Sequence, residues 1–130
     1  MVVKGLMHPQ EAKAAIDAGA DGIVISNHGG RQADGVASTA SVVSSVVEAV
    51  QGQGEVFVDG GVRTGIDALK MIALGADACL IGRAFVYGLA AGGQRGVERA
   101  LEIIQMELDQ TMGLCGGTDI GQLPKDLLIR

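Results

Sequence analysis

Short apolar runs alternate along this chain with stretches whose apolar residues recur at helical spacing. The first run, Val2–Gly5, carries Lys4 near its end. His8-Pro9-Gln10-Glu11 then opens a helix, since proline suits a first helical turn, and Ala12, Ala15, Ile16 and Ala18 form its apolar stripe before Gly19 ends it. Ile23–Ile25 reads as a second strand. A loop from Ser26 to about Ser38 leads to a helix bearing Val42, Val43, Val46, Val47 and Val50. Val56-Phe57-Val58 is the third strand and ends in Asp59-Gly60-Gly61. Arg63-Thr64-Gly65 leads into a helix with Ile66, Leu69, Lys70, Ile72 and Ala73. Ala78–Ile81 is the fourth strand, closed by Gly82-Arg83. A long amphipathic helix is expected from about Gly96 to Met112, with Val97, Leu101, Ile104 and Leu108 on one side, and the stretch from Gly113 to Arg130 reads as irregular.

The order is therefore strand–helix, four times over. The strands are continuously apolar rather than alternating, as parallel strands buried on both faces are. An internal repeat supports this: AGADGIVIS at 18–26 and LGADACLIG at 74–82 each set Gly-Ala-Asp between a helix and a strand. A repeat of two strand–helix units fits quarters of a (β/α)8 TIM barrel, which takes roughly 250 residues. Residues 1–130 are thus expected to form a single α/β unit, a (β/α)4 half of such a barrel. Its two edges, Val2–Gly5 and Ala78–Gly82, would carry unpaired backbone groups. Either another half covers them or the unit pairs with itself, so a homo-oligomer or a missing N-terminal half is expected.

Composition narrows the function. Hydrophobic residues make up 48% of the 130, too many for a disordered chain. Net charge is −5, with basic residues scattered, no Trp, one Tyr and two Phe, which argues against nucleic-acid binding. No run is long enough to span a membrane, and MVVKGLMHPQ has no signal-peptide pattern, so a cytoplasmic location is expected. Cys79 and Cys115 suit neither a disulfide framework nor a zinc site and read as reduced thiols; no metal site is expected. The 21 glycines fall at the ends of apolar runs, where a chain turns tightly or lets a ligand approach.

Strand ends feed the ligand face of parallel barrels. Here they supply Lys4; Ser26-Asn27-His28 with Arg31; Asp59-Gly60-Gly61 with Arg63; and Gly82-Arg83. Gly60, Gly61 and Gly82 expose N–H groups where helices begin, and Arg63 and Arg83 can grip phosphate oxygens. Turn glycines beside solvated arginines are the plainer alternative. Lys4 either snorkels or holds an anion at the barrel mouth. His28 is a natural proton acceptor near neutral pH, and Arg31 can fix a carboxylate. His8 reads as a residue of the helix start without a functional role.

VKGLMHPQEA, GADGIVISNHGGRQADG, VFVDGGVRTGIDALKMIALGADACLIGRAFVYGLA and MELDQTM together resemble the FMN-dependent 2-hydroxy-acid dehydrogenases and oxidases. The resemblance covers essentially the whole chain but only the C-terminal half of that family's barrel. It implies FMN as cofactor and oxidation of a small L-2-hydroxy acid, lactate-like, to the 2-oxo acid. By the same resemblance His28 is the base acting on the substrate, and Arg31 binds the substrate carboxylate. Lys4 lies by the flavin N1–C2=O edge, Ser26 contacts FMN and Asp59 holds ribityl hydroxyls. The loops of Gly60, Gly61, Arg63, Gly82 and Arg83 bind the FMN phosphate. Ala33 and Ala37 stand where many relatives have Leu and Pro. The family's other half supplies substrate-binding tyrosines and the carboxylate that pairs with the catalytic histidine. Two other readings remain at this stage. One is a non-catalytic, self-associating half barrel that at most binds FMN or phosphate. The other is a nucleotide-dehydrogenase type of barrel, which uses a catalytic cysteine where this sequence has His28 and Arg31.

Overall fold

The computed structural model describes residues 1–124 and 126–128. Four strands, β1 (Val2–Leu6), β2 (Gly22–Ile25), β3 (Glu55–Val58) and β4 (Ala78–Cys79), form one parallel sheet in the order β1-β2-β3-β4. Helices α1 (Pro9–Asp17), α2 (Val43–Val50) and α3 (Gly65–Ala73) connect successive strands, and α4 (Arg83–Leu114) follows the last. This is the expected strand–helix alternation.

Side chains alternate across the sheet and sort into two unlike faces. Ile23, Ile25, Val56 and Val58 point one way and pack with Ala12 and Ile16 of α1, Val43, Val46 and Val50 of α2, and Met71 of α3. Ile23, Ile25, Val46 and Val58 are completely buried there. The other face carries the register row Lys4–Val24–Phe57–Ala78. Val2 and Leu80, at the two edges, are nearly half exposed, at 49% and 45%. Within this chain the sheet is therefore covered by helices on one side only.

Local chemistry explains the helix ends. His8 is not idle: its Nδ1 accepts from the Gln10 N–H at 3.3 Å and caps α1. Thr64 and Asp67 form a capping box at the start of α3. The repeated Gly-Ala-Asp segments perform the same task twice. Gly19 (φ 97°) and Gly75 (φ 108°) turn the chain out of a helix. Asp21 O then accepts from Glu55 N, and the Asp77 carboxylate accepts from Val56 N at 2.7 Å, each tying a helix exit to the neighbouring strand.

Several boundaries differ from expectation. Strand β4 ends at Cys79 rather than Ile81, although Leu80 N still donates to Val58 O, because the chain then swings toward the next helix. The chain is already helical from Arg83, which was not expected; a kink at Gly92 and Gly93 (φ −152° and 57°) separates that first arm from the second, which begins close to the expected Gly96. The two arms cross where a Cβ on Gly88 would meet the Gly96 carbonyl oxygen at 2.4 Å. The second arm packs on α3 so closely that a Cβ on Gly65 would overlap Leu108 N. The loop after β2 is also more ordered than expected, with short 3-10 turns at His28–Gly30 and Thr39–Ser41. Irregular structure after α4 includes one more such turn, Ile120–Gln122; the part of that stretch at 125, 129 and 130 lies outside the described residues. Among the described residues no helix is long and apolar enough to cross a membrane.

Candidate active site

All four strands end on the same rim, and an open cleft of about 440 Å³ lies there. Lys4, His28, Arg31, Asp59, Gly60, Gly61, Arg63, Gly82 and Arg83 line it, every one of them singled out by its place at a strand end. Ser26 lies just beneath, almost fully buried. The cleft is strongly cationic in a chain of net charge −5: three arginines and a lysine face a single carboxylate.

Lys4 is tethered in the floor. Its Nζ pairs with the Asp59 carboxylate and donates to Ser26 Oγ at 2.8 Å. Ser26 Oγ also accepts from the His28 N–H at 3.1 Å, so one buried hydroxyl links the cation to the imidazole-bearing turn. The second carboxylate oxygen of Asp59, Oδ1, is buried with no hydrogen-bond partner among the described residues. A buried, unpaired acceptor is costly unless a donor fills the site.

The turn holding His28 is left-handed throughout: φ is 56° at His28, 69° at Gly29 and 71° at Gly30. Two glycines follow His28 because side chains there would extend a strained run. Asn27 fixes the turn, its Oδ1 accepting from Gly29 N at 3.0 Å and its Nδ2 donating to Ala37 O at 3.3 Å. Arg31 Nε donates to His28 O at 3.2 Å, which leaves the rest of its guanidinium exposed at the rim. The loop is then latched to its neighbour: buried Thr39 donates from Oγ1 to Gly60 O at 3.0 Å.

The two anion-type loops are unequal. The N-terminus of α3 is already satisfied by carboxylates. Asp67 Oδ2 accepts from Arg63 N and Thr64 N, and Glu107 Oε2 accepts from Gly65 N at 2.9 Å. Burial opposes ionisation of Asp67, but these N–H donors outweigh it and hold its carboxyl below the usual range. The N-terminus of α4 has no side-chain cap, and a Cβ at Gly82 or Gly61 would meet nothing within 4 Å. The open dipole end of α4, with Arg83 and Arg63 flanking it, has the chemistry of an anion site.

These features fit FMN. Open N–H groups and arginines suit a phosphate, the orphaned Asp59 Oδ1 suits a polyol hydroxyl, and a cation in the floor suits an electron-rich ring edge. Sequence reasoning missed Thr39, Asn27 and Gly5, which act through contacts between distant segments. Cys79 lies off the cleft, its Sγ 3.8 Å from Ala68 O, with burial pushing its thiol up to about 11. Neither cysteine is in the His28 loop. Among the described residues no cluster of His, Cys, Asp and Glu could hold a metal ion.

A parallel α/β module with a cationic, phosphate-type cleft at its strand ends is the class that fold and site define. The FMN-dependent dehydrogenase family profile matches residues 1–130, and the chain belongs to that family. It is 52% identical over all 130 residues to an L-lactate dehydrogenase of Pseudomonas paraeruginosa, and 50% identical to one from Xanthomonas campestris pv. campestris. In both cases it covers 34% of the relative, so the chain spans about a third of the length of the curated relatives it matches. Among solved structures it superposes on mandelate oxidase bound to 3,3-difluoro-2-hydroxy-3-phenylpropionic acid with a TM-score of 0.90 and 49% identity. That match covers 92% of this chain and 36% of the other. A crystal structure of mandelate oxidase with benzoyl-formic acid matches equally well. The family's enzymes are FMN-dependent 2-hydroxy-acid dehydrogenases and oxidases, and those neighbours are TIM-barrel flavin enzymes.

Proposed function

We propose that this chain is the FMN- and substrate-binding half of a dehydrogenase that oxidises an L-2-hydroxy acid, lactate-like, to the 2-oxo acid. The observation that carries the reading is convergence: a proton acceptor, a carboxylate-binding cation and two phosphate-type loops from four strands surround one cleft. Flavin, when bound, would accept the hydrogen of the substrate C2 together with its two electrons. His28 takes the proton from the substrate 2-hydroxyl. Arg31, tied to the His28 carbonyl, holds the substrate carboxylate and so sets the hydroxyl against the imidazole. Lys4, held in place by Ser26, would set its charge beside the flavin, where negative charge develops on reduction. Asp59 would accept from ribityl hydroxyls. Gly60, Gly61, Gly82, Arg63 and Arg83 would hold the phosphate.

The four units are proposed as the C-terminal half of an eight-unit barrel. Its phosphate-type loops follow the last two strands, β3 and β4, where barrels of this kind bind phosphate. The helix-free face with Val24 and Phe57 would then line the barrel interior, covered by a second half or a second copy.

The test is anaerobic. The FMN-loaded protein mixed with L-lactate should lose its visible flavin absorbance, and His28→Ala should retain FMN but bleach on the order of a hundredfold to ten-thousandfold more slowly, the usual contribution of a general base. Bleaching that is unchanged in His28→Ala would refute the assignment. The uncovered face and open edges also favour a second reading, a self-associating flavin-binding module without turnover. Stable FMN binding with a dimeric mass by light scattering and no bleaching by any 2-hydroxy acid would select it.

A further inference from the structure

Strand β1 is irregular at one place. Lys4 pairs with Val24 and Leu6 with Ile25, so Gly5 is the extra residue of a bulge in a parallel ladder. Bulges beside active sites re-aim side chains. Gly5 has φ 98°, which glycine adopts freely and other residues rarely do. The space around it has a further meaning. A Cβ at Gly5 would stand 2.8 Å from His28 Nε2 and 3.4 Å from Cε1. The two residues are 23 positions apart in sequence, and the missing methyl would occupy hydrogen-bonding distance from the imidazole's outer nitrogen.

We propose that Gly5 is a positioning residue for His28: the side-chain-free bulge of β1 keeps the Nε2 edge of the imidazole open to its proton donor. The inference rests on the reading of His28 as the base. It assigns Gly5 a role apart from that of neighbouring Lys4. Lys4 needs the bulge only to turn inward, whereas His28 needs the absence of a Cβ. A methyl at Gly5 pushes the ring off its seat or blocks Nε2, since the three atoms nearest to it all belong to that ring.

Gly19 supplies a matched control. Its φ is 97°, nearly that of Gly5, yet a Cβ there would meet nothing within 4 Å. Gly5→Ala and Gly19→Ala therefore carry the same backbone strain, and only the first places a methyl against His28. Imidazole NMR of the whole chain reads the effect directly, with His8 as internal reference. The wild type should show cross-relaxation between Gly5 Hα and the His28 ring protons. Gly5→Ala should move the His28 ring resonances, while Gly19→Ala leaves them in place and neither variant moves those of His8. With FMN bound, Gly5→Ala should slow reduction by L-lactate about a hundredfold, the cost typical of a misplacement of 1 Å, without loss of FMN. Absent cross-relaxation in the wild type overturns the proposal even where Gly5→Ala does not fold. Equal His28 spectra in the two variants overturn it as well. A wild type that binds FMN but is not reduced would remove the catalytic reading, and the ring resonances would still decide whether Gly5 seats the imidazole.

Discussion

His28 occupies a backbone conformation, φ 56°, that costs a residue with a side chain roughly 1–2 kcal/mol. Glycine would relieve that strain, so His28→Gly should be more stable than His28→Ala by about 1 kcal/mol in urea unfolding, although both lack the base. Equal midpoints would show that the turn is unstrained. The two cysteines should differ as sharply. Cys79 is held protonated by burial up to about 11, whereas Cys115 is exposed. A thiol reagent at pH 8 should label Cys115 within the native protein and Cys79 only after denaturation. Asp67 is a pH-sensitive carboxylate of the fold. Its pKa is lowered in the folded state from 3.8, so the stability it contributes is fully present above about pH 4 and is lost as pH falls through the folded value. Asp67→Asn should therefore lower the urea midpoint at pH 7, and the gap from the wild type should narrow as the pH falls below about 4. Most single residues of the cleft were legible because a polar group ending an apolar run is conspicuous. Gly5 and Thr39 were not, since their partners, His28 and Gly60, lie 23 and 21 positions away.

At the scale of elements, the strands β2 and β3 and the helices α1, α2 and α3 follow directly from periodicity. Their buried stripes are the ones that pack in the core: Ala12 with Ile16, and Val43 with Val46 and Val50. Ile25 is fully enclosed between sheet and helices. Ile25→Ala should cost about 2–5 kcal/mol by urea unfolding, as buried large-to-small changes do. A loss below 1 kcal/mol would mean that the helix-covered face is not close-packed. Where pattern reading fell short, tertiary packing decided. From sequence Gly96 reads as a helix start and Gly88 is not singled out, yet they are where the two arms of α4 touch, and no local signal marks a helix-crossing glycine. Leu80 and Ile81 look like strand residues, but the chain must leave the sheet there to bring the start of α4 to the cleft.

At the scale of the molecule, the arrangement is one-sided. Helices shield one face of the sheet, while the other carries half-buried Phe57 and Val24, the latter already buried by its neighbours, between two open edges. Parallel sheets normally bury both faces. The chain covers 34% of the L-lactate dehydrogenases it resembles, which accords with a fold whose second face is completed elsewhere. The central claim is that four separate strand ends act as one flavin site. The most direct measurement follows the backbone amides of the whole chain by heteronuclear NMR during titration with FMN. The account predicts that Lys4, His28, Gly61, Gly82 and Arg83 all shift and saturate together in a single binding curve, while the amides of α2 stay still. Shifts confined to one loop, or saturating at different FMN concentrations, would contradict it.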